Sequence, residues 1–191
     1  MLDRLKAWMF NLGASLSSSH LDRILAILGL ETGERIADLG SGGGYYTLRF
    51  AGEVGPEGKV FAVDINPAYL AFIRNKAKKA RFQNVETSLL SDIPSRIPAG
   101  SLDLIFCRDA YHHLPDRTAL FKDLARYLKP EGRVAIIDWL PSASRLLGPP
   151  AGHKTPPEKI HNEMKHAGYY ARERLDILPG HSFSIFMKES A

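Results

Sequence analysis

The sequence has a single cysteine, a small net charge and no long apolar run, and each shortage excludes a class of protein. One cysteine, Cys107, excludes an internal disulfide and a multi-cysteine zinc site, so we expect no metal and a reducing, cytoplasmic location. Without a run of about 18 apolar residues no transmembrane helix is expected. Charged residues near the start, Asp3, Arg4 and Lys6, interrupt the apolar core that a secretory signal needs.

Size and charge describe an ordinary globular chain. Its 191 residues suffice for one domain, and 45% of them are hydrophobic. The 25 basic and 21 acidic side chains leave a net charge of +4, which allows weak attraction to anions without requiring nucleic acid. The charge therefore disfavours a nucleic-acid partner, and we expect a monomer or homodimer.

Short apolar segments alternate with segments of helical pattern from residue 35 onward. The predicted strands are "RIADLG", "KVFAVD", "NVETSLLSD", "LDLIFCRDA" and "RVAIIDW". Helices are predicted to begin at Pro67 and Pro115, the latter ending at Leu128 and closed by "KPEG". This alternation predicts a doubly wound α/β fold with a parallel sheet.

The two ends of the chain depart from this rhythm. "YARERLDI" and "SFSIFMKE" are predicted strands joined by the short turn "LPGH", so they must pair antiparallel. The sheet is therefore predicted to have seven strands, mostly parallel, and to end in an antiparallel hairpin. At the other end, residues 1–12 and 19–28 are predicted amphipathic helices, with Ser19 as the N-cap of the second and Gly29 as its stop.

Unusual residues follow the first four predicted strands, where ligands of open parallel sheets bind. Glycines after the first strand let a ligand approach bare backbone amides at a helix N-terminus. An acid after the second strand suits the two hydroxyls of a ribose. The residues at the four strand ends are Asp38, Gly40, Gly42, Gly43 and Gly44, then Asp64, then Asp92, and finally Arg108.

The residues around the glycines disfavour two common nucleotide sites. Tyr45 and Tyr46 follow Gly44 where a P-loop carries Lys and Ser or Thr. Tyr45 also occupies the place of the third glycine of a dinucleotide fingerprint. Asp38, just before the loop, would repel a pyrophosphate but suits an ammonium group.

Four segments in order resemble the class I S-adenosylmethionine-dependent methyltransferases. They are "ADLGSGGGYYT", "VFAVDINPAYL", "SDIP" and "LDLIFCRDAYHHLPD". The resemblance spans residues 35–188 and is to the small-molecule branch that includes the ubiquinone and menaquinone C-methyltransferases. It implies a Rossmann-like fold, S-adenosylmethionine as cofactor, and methyl transfer to a small molecule by in-line displacement.

The resemblance also implies roles for individual residues. Gly40 and Gly42 would bracket the methionyl part of the cofactor, and Asp38 would hold the loop or the ammonium group through water. Asp64 would bind the ribose, Asp92 and Ile93 the adenine, and the carbonyl of Arg108 the methionyl end. The full predicted cofactor set is Asp38, Gly40, Gly42, Gly44, Tyr45, Asp64, Ile65, Asp92, Ile93 and Arg108.

A catalytic base is needed where the acceptor carries an OH, NH or acidic CH group. His112 and His113 follow the fourth strand and Asp138 ends the fifth, so these three are the predicted catalytic residues. His153 lies in the "PPAGHKTPP" segment, which we expect to be a solvated loop, and His181 is expected to be exposed in the hairpin turn.

Residues 1–34 are predicted to be helices that cap the site, and residues 35–191 to form the cofactor-binding domain as one structural unit. Two alternatives stay open: an RNA- or protein-directed methyltransferase, and a nicotinamide-dependent oxidoreductase or binding module. The basic run "RNKAKKARF" is more typical of a solvated helix face. Arsenite as acceptor would need several thiolates, and the chain has one.

Overall fold

The structure, a computed structural model, describes Lys6, residues 18–143 and residues 153–189. The chain divides into two compact units, Met1–Pro98 and Ala99–Ala191. Of the predicted helix over residues 1–12, all but Lys6 lies outside the described residues. Among the helices that the structure describes, none is both long and apolar enough to cross a membrane.

The first described helix, α1 (Ser18–Leu28), follows the predicted amphipathic pattern. Its apolar face, with Leu21, Ile24 and Leu28, is at most 3% exposed. Gly29 ends the helix with a left-handed φ of 54°, and its N–H donates to the Leu25 carbonyl. The helix begins at Ser18, so Ser19 is its second residue and not the predicted N-cap.

Three parallel strands form the sheet portion of the first unit. They are β1 (Arg35–Leu39), β2 (Lys59–Asp64) and β3 (Val85–Leu89), and β2 pairs with both of the others. The connecting helices are α2 (Tyr45–Glu53) and α3 (Pro67–Lys79), followed after β3 by the one-turn α4 (Ile93–Arg96). Continuous apolar sequence buries β2 completely from Val60 to Val63, as expected of an inner parallel strand.

The second unit continues the strand–helix pattern and then changes direction. β4 (Leu102–Arg108) and β5 (Leu128–Trp139) are parallel, with α5 (Arg117–Leu124) between them. Helix α6 (Pro157–His166) precedes β6 (Tyr169–Leu175) and β7 (His181–Lys188). β7 is antiparallel to both β5 and β6, which confirms the predicted hairpin.

Within the described ranges the strands form a seven-stranded sheet in the order β3-β2-β1-β4-β5-β7-β6. This confirms the predicted fold class. Two predicted boundaries were wrong. The helix expected from Pro115 to Leu128 begins only after Asp116, whose side chain accepts from the Ala119 N–H, and it ends at Leu124. "KPEG" belongs to β5, because that strand starts early and a register shift against β4 accommodates the extra residues.

Candidate functional site

The glycine loop between β1 and α2 has a backbone that only glycine adopts readily. Gly40, Gly42 and Gly44 have left-handed φ values of 74°, 51° and 73°. Gly44 is also the N-cap of α2, and a Cβ there would lie 2.6 Å from Cγ1 of the fully buried Ile73. A side chain at position 44 is therefore disfavoured for two reasons: the backbone is left-handed, and a Cβ would overlap Ile73.

The amides of this loop are already occupied. The N–H groups of Gly40 and Ser41 donate to the Val63 carbonyl at 2.8 and 3.1 Å, and Gly44 donates to the Ser41 carbonyl at 2.8 Å. Gly42 donates to Oδ2 of Asp64 at 2.9 Å. The loop thus lets a ligand come close to its backbone. The amide donors that the sequence led us to expect for that ligand already donate within the protein.

Asp64 ties the glycine loop to the end of β2. Its Oδ2 accepts from Gly42, and its Oδ1 accepts from the Asn66 N–H at 2.9 Å. The residue is only 8% exposed. Each carboxylate oxygen accepts more than one hydrogen bond, so both can still receive a hydroxyl group. Asp64 is thereby fixed in orientation before any ligand arrives.

Asp38, at the end of β1, is a buried carboxyl group. It is 4% exposed, and the Thr47 hydroxyl donates to its Oδ2 at 2.5 Å. Burial raises the pKa of Asp38 to about 7, the Thr47 hydrogen bond opposes this shift, and the neighbouring Asp64 adds to it. A cationic group bound beside Asp38 would favour its ionised form.

The other predicted residues of the first unit differ in their exposure. Asp92 is half-buried, and its Oδ1 accepts from the Ser91 hydroxyl at 2.9 Å. Ile93, 5% exposed, opens α4, whereas Ile65 is 71% exposed although it is a large apolar residue. Tyr45 is half-buried and packs edge-on against Tyr46, with ring centroids 5.4 Å apart.

In the second unit, the structure brings the three predicted catalytic residues together. His112 and His113 lie on a 3₁₀ turn, Tyr111–His113, after β4, while Asp138 lies near the end of β5. Nδ1 of His112 is 2.8 Å from Oδ1 of Asp138, and the Asp138 side chain is completely buried.

His153 joins this group, which corrects the expectation of a solvated loop. It is half-buried, and its Nδ1 lies 3.2 Å from Nε2 of His113. The His112, His113 and His153 rings have centroids 4.1 to 5.2 Å apart, and one nitrogen of each lies within 4.8 Å of the others. The pKa of His113 is lowered, first by partial burial and then by the electrostatic effect of the neighbouring His112 and His153. We call these three residues the histidine cluster.

His181 was wrongly predicted to be exposed. It begins β7, is 8% exposed, and packs against Trp139 with ring centroids 3.9 Å apart and the rings tilted by 37°. Its Nε2 lies 3.1 Å from Oδ1 of Asp109, whose Oδ2 is 3.3 Å from Nε of Arg108. The predicted cofactor residue Arg108 is therefore part of a chain of polar side-chain contacts at the end of β4.

A second charged group explains the burial of Tyr111. Its hydroxyl donates to Glu163 at 2.7 Å, and Arg117 donates to both Glu163 oxygens at 2.8 Å. Burial raises the pKa of Tyr111. Burial alone would raise the pKa of Glu163, but hydrogen bonds from Arg117 and Tyr111 outweigh it and keep this pKa below its usual value. This network holds α5 and α6 together.

Sequence reasoning could not have found His153 or Glu163, because each meets its partners from 40 or more positions away. The basic run on α3 shows the expected solvated pattern, with Lys78 and Lys79 exposed in its last turn. Cations there complement the helix dipole.

The sheet order, the left-handed glycine loop and the acid at the end of β2 together define a Rossmann-like α/β protein. A family model described as a methyltransferase domain matches residues 30–174, and the chain belongs to this family. The resemblance predicted from the sequence is thereby confirmed.

Individual relatives agree with the family. The chain is 33% identical over 120 residues to the arsenite methyltransferase of Halobacterium salinarum, covering 62% of this chain and 30% of that protein. It is 29% identical over 163 residues to the 27-O-demethylrifamycin SV methyltransferase of Amycolatopsis mediterranei, covering 84% and 56% respectively. Among solved structures, a SAM-dependent methyltransferase from Aquifex aeolicus has a TM-score of 0.77 at 27% identity, covering 86% of this chain and 87% of that one. The chain thus spans about a third to just over half the length of these two curated relatives.

Proposed function

We propose that this chain is an S-adenosylmethionine-dependent methyltransferase acting on a small molecule. The observation that carries the proposal is the hydrogen bond from the Gly42 amide to Asp64, which fixes a glycine loop against a buried carboxylate. A carboxylate held in this way is suited to a ribose diol, and the family supplies the reaction class.

The described residues of the first unit fit such a cofactor. Gly44, packed against the buried Ile73, holds the loop in place at the N-terminus of α2. Asp64 would accept both ribose hydroxyls, and Asp38 would ionise beside the ammonium group of the methionyl part. The loop is flanked by two carboxyl groups and is not followed by a phosphate-binding lysine. This arrangement suits a nucleoside that carries a cation and disfavours a pyrophosphate.

For the adenine end we infer contacts from Asp92, Ile93 and Ile65. Asp92 would accept from the exocyclic amine. Ile65, 71% exposed beside Asp64, offers an apolar surface that a ring would cover. For Gly40 and Tyr45 the expected contact is with the methionyl part. The cofactor role of Arg108, which belongs to the second unit, stays a prediction.

S-adenosylmethionine, when bound, supplies a methyl group that is already activated by the sulfonium. The residues of the chain then contribute mainly by orientation, which in well-positioned systems is worth about 7 to 11 kcal/mol of the barrier. The family and the 27-O-demethylrifamycin SV methyltransferase relative favour a small-molecule acceptor. Arsenite is disfavoured, since Cys107 is the only cysteine and is fully buried. A cytoplasmic location and a role for His112, His113 and Asp138 in transfer stay predictions.

Isothermal titration with S-adenosylmethionine and its demethylated product tests the proposal. We expect micromolar binding of both and a loss of about 100-fold or more in Asp64→Ala, since two hydroxyl partners and the loop anchor disappear together. The control is Asp123→Ala, which removes an exposed carboxylate paired with Arg126. Binding weaker than millimolar in the wild type, or equal affinities in the Asp64 variant and the wild type, would contradict the proposal.

The same protein separates the two alternatives. A nicotinamide-binding protein would change NADH fluorescence on mixing, and we expect no change. An RNA-directed enzyme would bind RNA with a strong salt dependence that charge reversal of Lys78 and Lys79 removes. Neither effect is expected of an enzyme that acts on a small molecule.

A further inference from the structure

We propose that the histidine cluster is a binding site for a divalent transition metal of the zinc type, with His112, His113 and His153 as ligands. This goes beyond the sequence, from which no metal is expected, and beyond the proposed methyl transfer. The proposal depends only on residues of the second unit.

The first argument is the convergence of three imidazoles on one point. One nitrogen of each ring lies within 4.8 Å of the others. Zinc–nitrogen bonds of about 2.0–2.1 Å in a tetrahedron put neighbouring ligand atoms about 3.3–3.4 Å apart. The 3.2 Å between Nε2 of His113 and Nδ1 of His153 already matches that edge. Since His113 is exposed and His153 half-buried, side-chain rotation can close the longer separations.

The second argument is the carboxylate behind His112. Nδ1 of His112 is 2.8 Å from Oδ1 of Asp138, which leaves its Nε2 as the nitrogen available to a metal. Histidines that bind metals usually bond to a carboxylate or carbonyl through their other nitrogen, which fixes the ring and raises its basicity. Asp138 supplies that partner here.

The third argument concerns the charge of Asp138. Its side chain is completely buried, and among the described residues its Oδ2 has no hydrogen-bond partner. A buried carboxylate needs compensating positive charge. A cation held by His112, His113 and His153 would supply that charge through the His112 ring, which contacts Asp138.

The ligand set also indicates which metal and which kind of site. Three neutral imidazoles without thiolate or further carboxylate ligands favour Zn²⁺, Ni²⁺, Co²⁺ or Cu²⁺ over Mg²⁺ or Ca²⁺. Three protein ligands are typical of zinc sites that keep a fourth position open for water or another small ligand. The site is therefore suited to binding an oxygen or sulfur anion, and not to a purely structural role.

The test is titration of tag-free, chelator-treated protein with Zn²⁺ by calorimetry. We expect one ion per chain with a dissociation constant below about 1 μM. His153→Ala and His113→Ala should each weaken binding by about 100-fold or more, and Asp138→Asn by about 10- to 100-fold. His166→Ala is the matched control, because His166 is an exposed histidine on α6 outside the cluster.

Co²⁺ provides a second readout that does not depend on affinity. The wild-type protein should give the intense visible bands of four-coordinate Co²⁺, and the His153 and His113 variants should lose them while retaining the wild-type circular dichroism. Wild-type binding weaker than about 100 μM, or equal loss in the His166 variant, would overturn the proposal. Because neither readout involves S-adenosylmethionine, failure here leaves the proposed methyl transfer untouched.

Discussion

The glycine loop of the first unit and the histidine cluster of the second are built by different means. In the loop, left-handed backbone at Gly40, Gly42 and Gly44 dictates which residue each position accepts. In the cluster, His112 and His153 are residues that any surface could carry, and they become a site only because the fold brings them together. The first kind of site can be recognised from the local sequence, whereas the second can be recognised only from the tertiary structure.

This contrast predicts that the loop is intolerant of the smallest substitution. Gly44→Ala combines a left-handed alanine, costing about 1–2 kcal/mol, with overlap on Ile73, costing about 1–3 kcal/mol. We expect about 4 kcal/mol less stability in urea unfolding and a weakened affinity for S-adenosylmethionine.

Gly29→Ala is the matched control for this effect. Gly29 also has a left-handed φ, 54°, but an added Cβ there meets nothing within 4 Å. It should cost only the conformational part, about 1–2 kcal/mol. Equal losses in the two variants would mean that the contact with Ile73 contributes nothing.

How much of each site could be predicted from sequence follows from the same contrast. The loop and the acid after β2 were predicted because strand ends and glycines are visible in the sequence; their mutual hydrogen bond was not. His112, His113 and Asp138 were predicted one by one from strand ends, but His153 was assigned to a solvated loop. Its position beside His112 and His113 depends on tertiary contacts, which no local pattern encodes.

The boundary errors have the same origin. Pro115 is a plausible first residue of a helix, but the side chain of Asp116 caps α5 and moves its start to Arg117. His181 follows a turn signal, yet its contacts with Asp109 and with the Trp139 ring bury it at the start of β7. In both cases a side-chain interaction overrode a correct local tendency.

Asp38 adds to this comparison, because its raised pKa makes the end of β1 beside the glycine loop sensitive to pH. Its raised pKa means that the fold favours the protonated carboxyl. This contribution is fully present below the unfolded pKa of 3.8 and is lost as pH rises through about 7. The full shift corresponds to at most about 4 kcal/mol, and an effective dielectric of about 20 reduces this to about 2 kcal/mol.

We therefore expect wild-type stability, relative to Asp38→Asn, to decline by about 2 kcal/mol between pH 4 and pH 8. The measurement is urea unfolding of both proteins across this range without cofactor, since the difference cancels the other titrating groups. A difference that does not change with pH would show that Asp38 titrates normally.

Glu163→Gln tests whether the second unit depends on charged side-chain networks for its stability. The substitution removes the charge that Arg117 and Tyr111 share, at a cost of about 1.5 kcal/mol. Because the pKa of Glu163 is lowered, its contribution is present above pH 4.5 and is lost as pH falls below that value. The expected result is a lower urea midpoint at pH 7, with wild-type and variant converging in acid.

The same variant should bind S-adenosylmethionine with unchanged affinity. Glu163 lies on α6, and its described partners, Tyr111 and Arg117, belong to the second unit, whereas the carboxylates proposed for the cofactor, Asp38 and Asp64, belong to the first. A parallel loss of cofactor affinity would contradict the independence of the two regions.

The smallest effect is expected where a charged pair faces solvent. Nζ of Lys129 lies 2.6 Å from Asp103, but the lysine side chain is 43% exposed. Exposed pairs of this kind contribute about 0–1 kcal/mol, because solvent screens the attraction and the long side chain loses freedom. Lys129→Met should therefore shift the urea midpoint by less than a third of the Glu163→Gln shift, and the difference should vanish in 0.5 M salt. Equal shifts would contradict this expectation. They would mean that the number of ion pairs sets the stability of the second unit, and that the greater burial of Glu163 adds nothing to it.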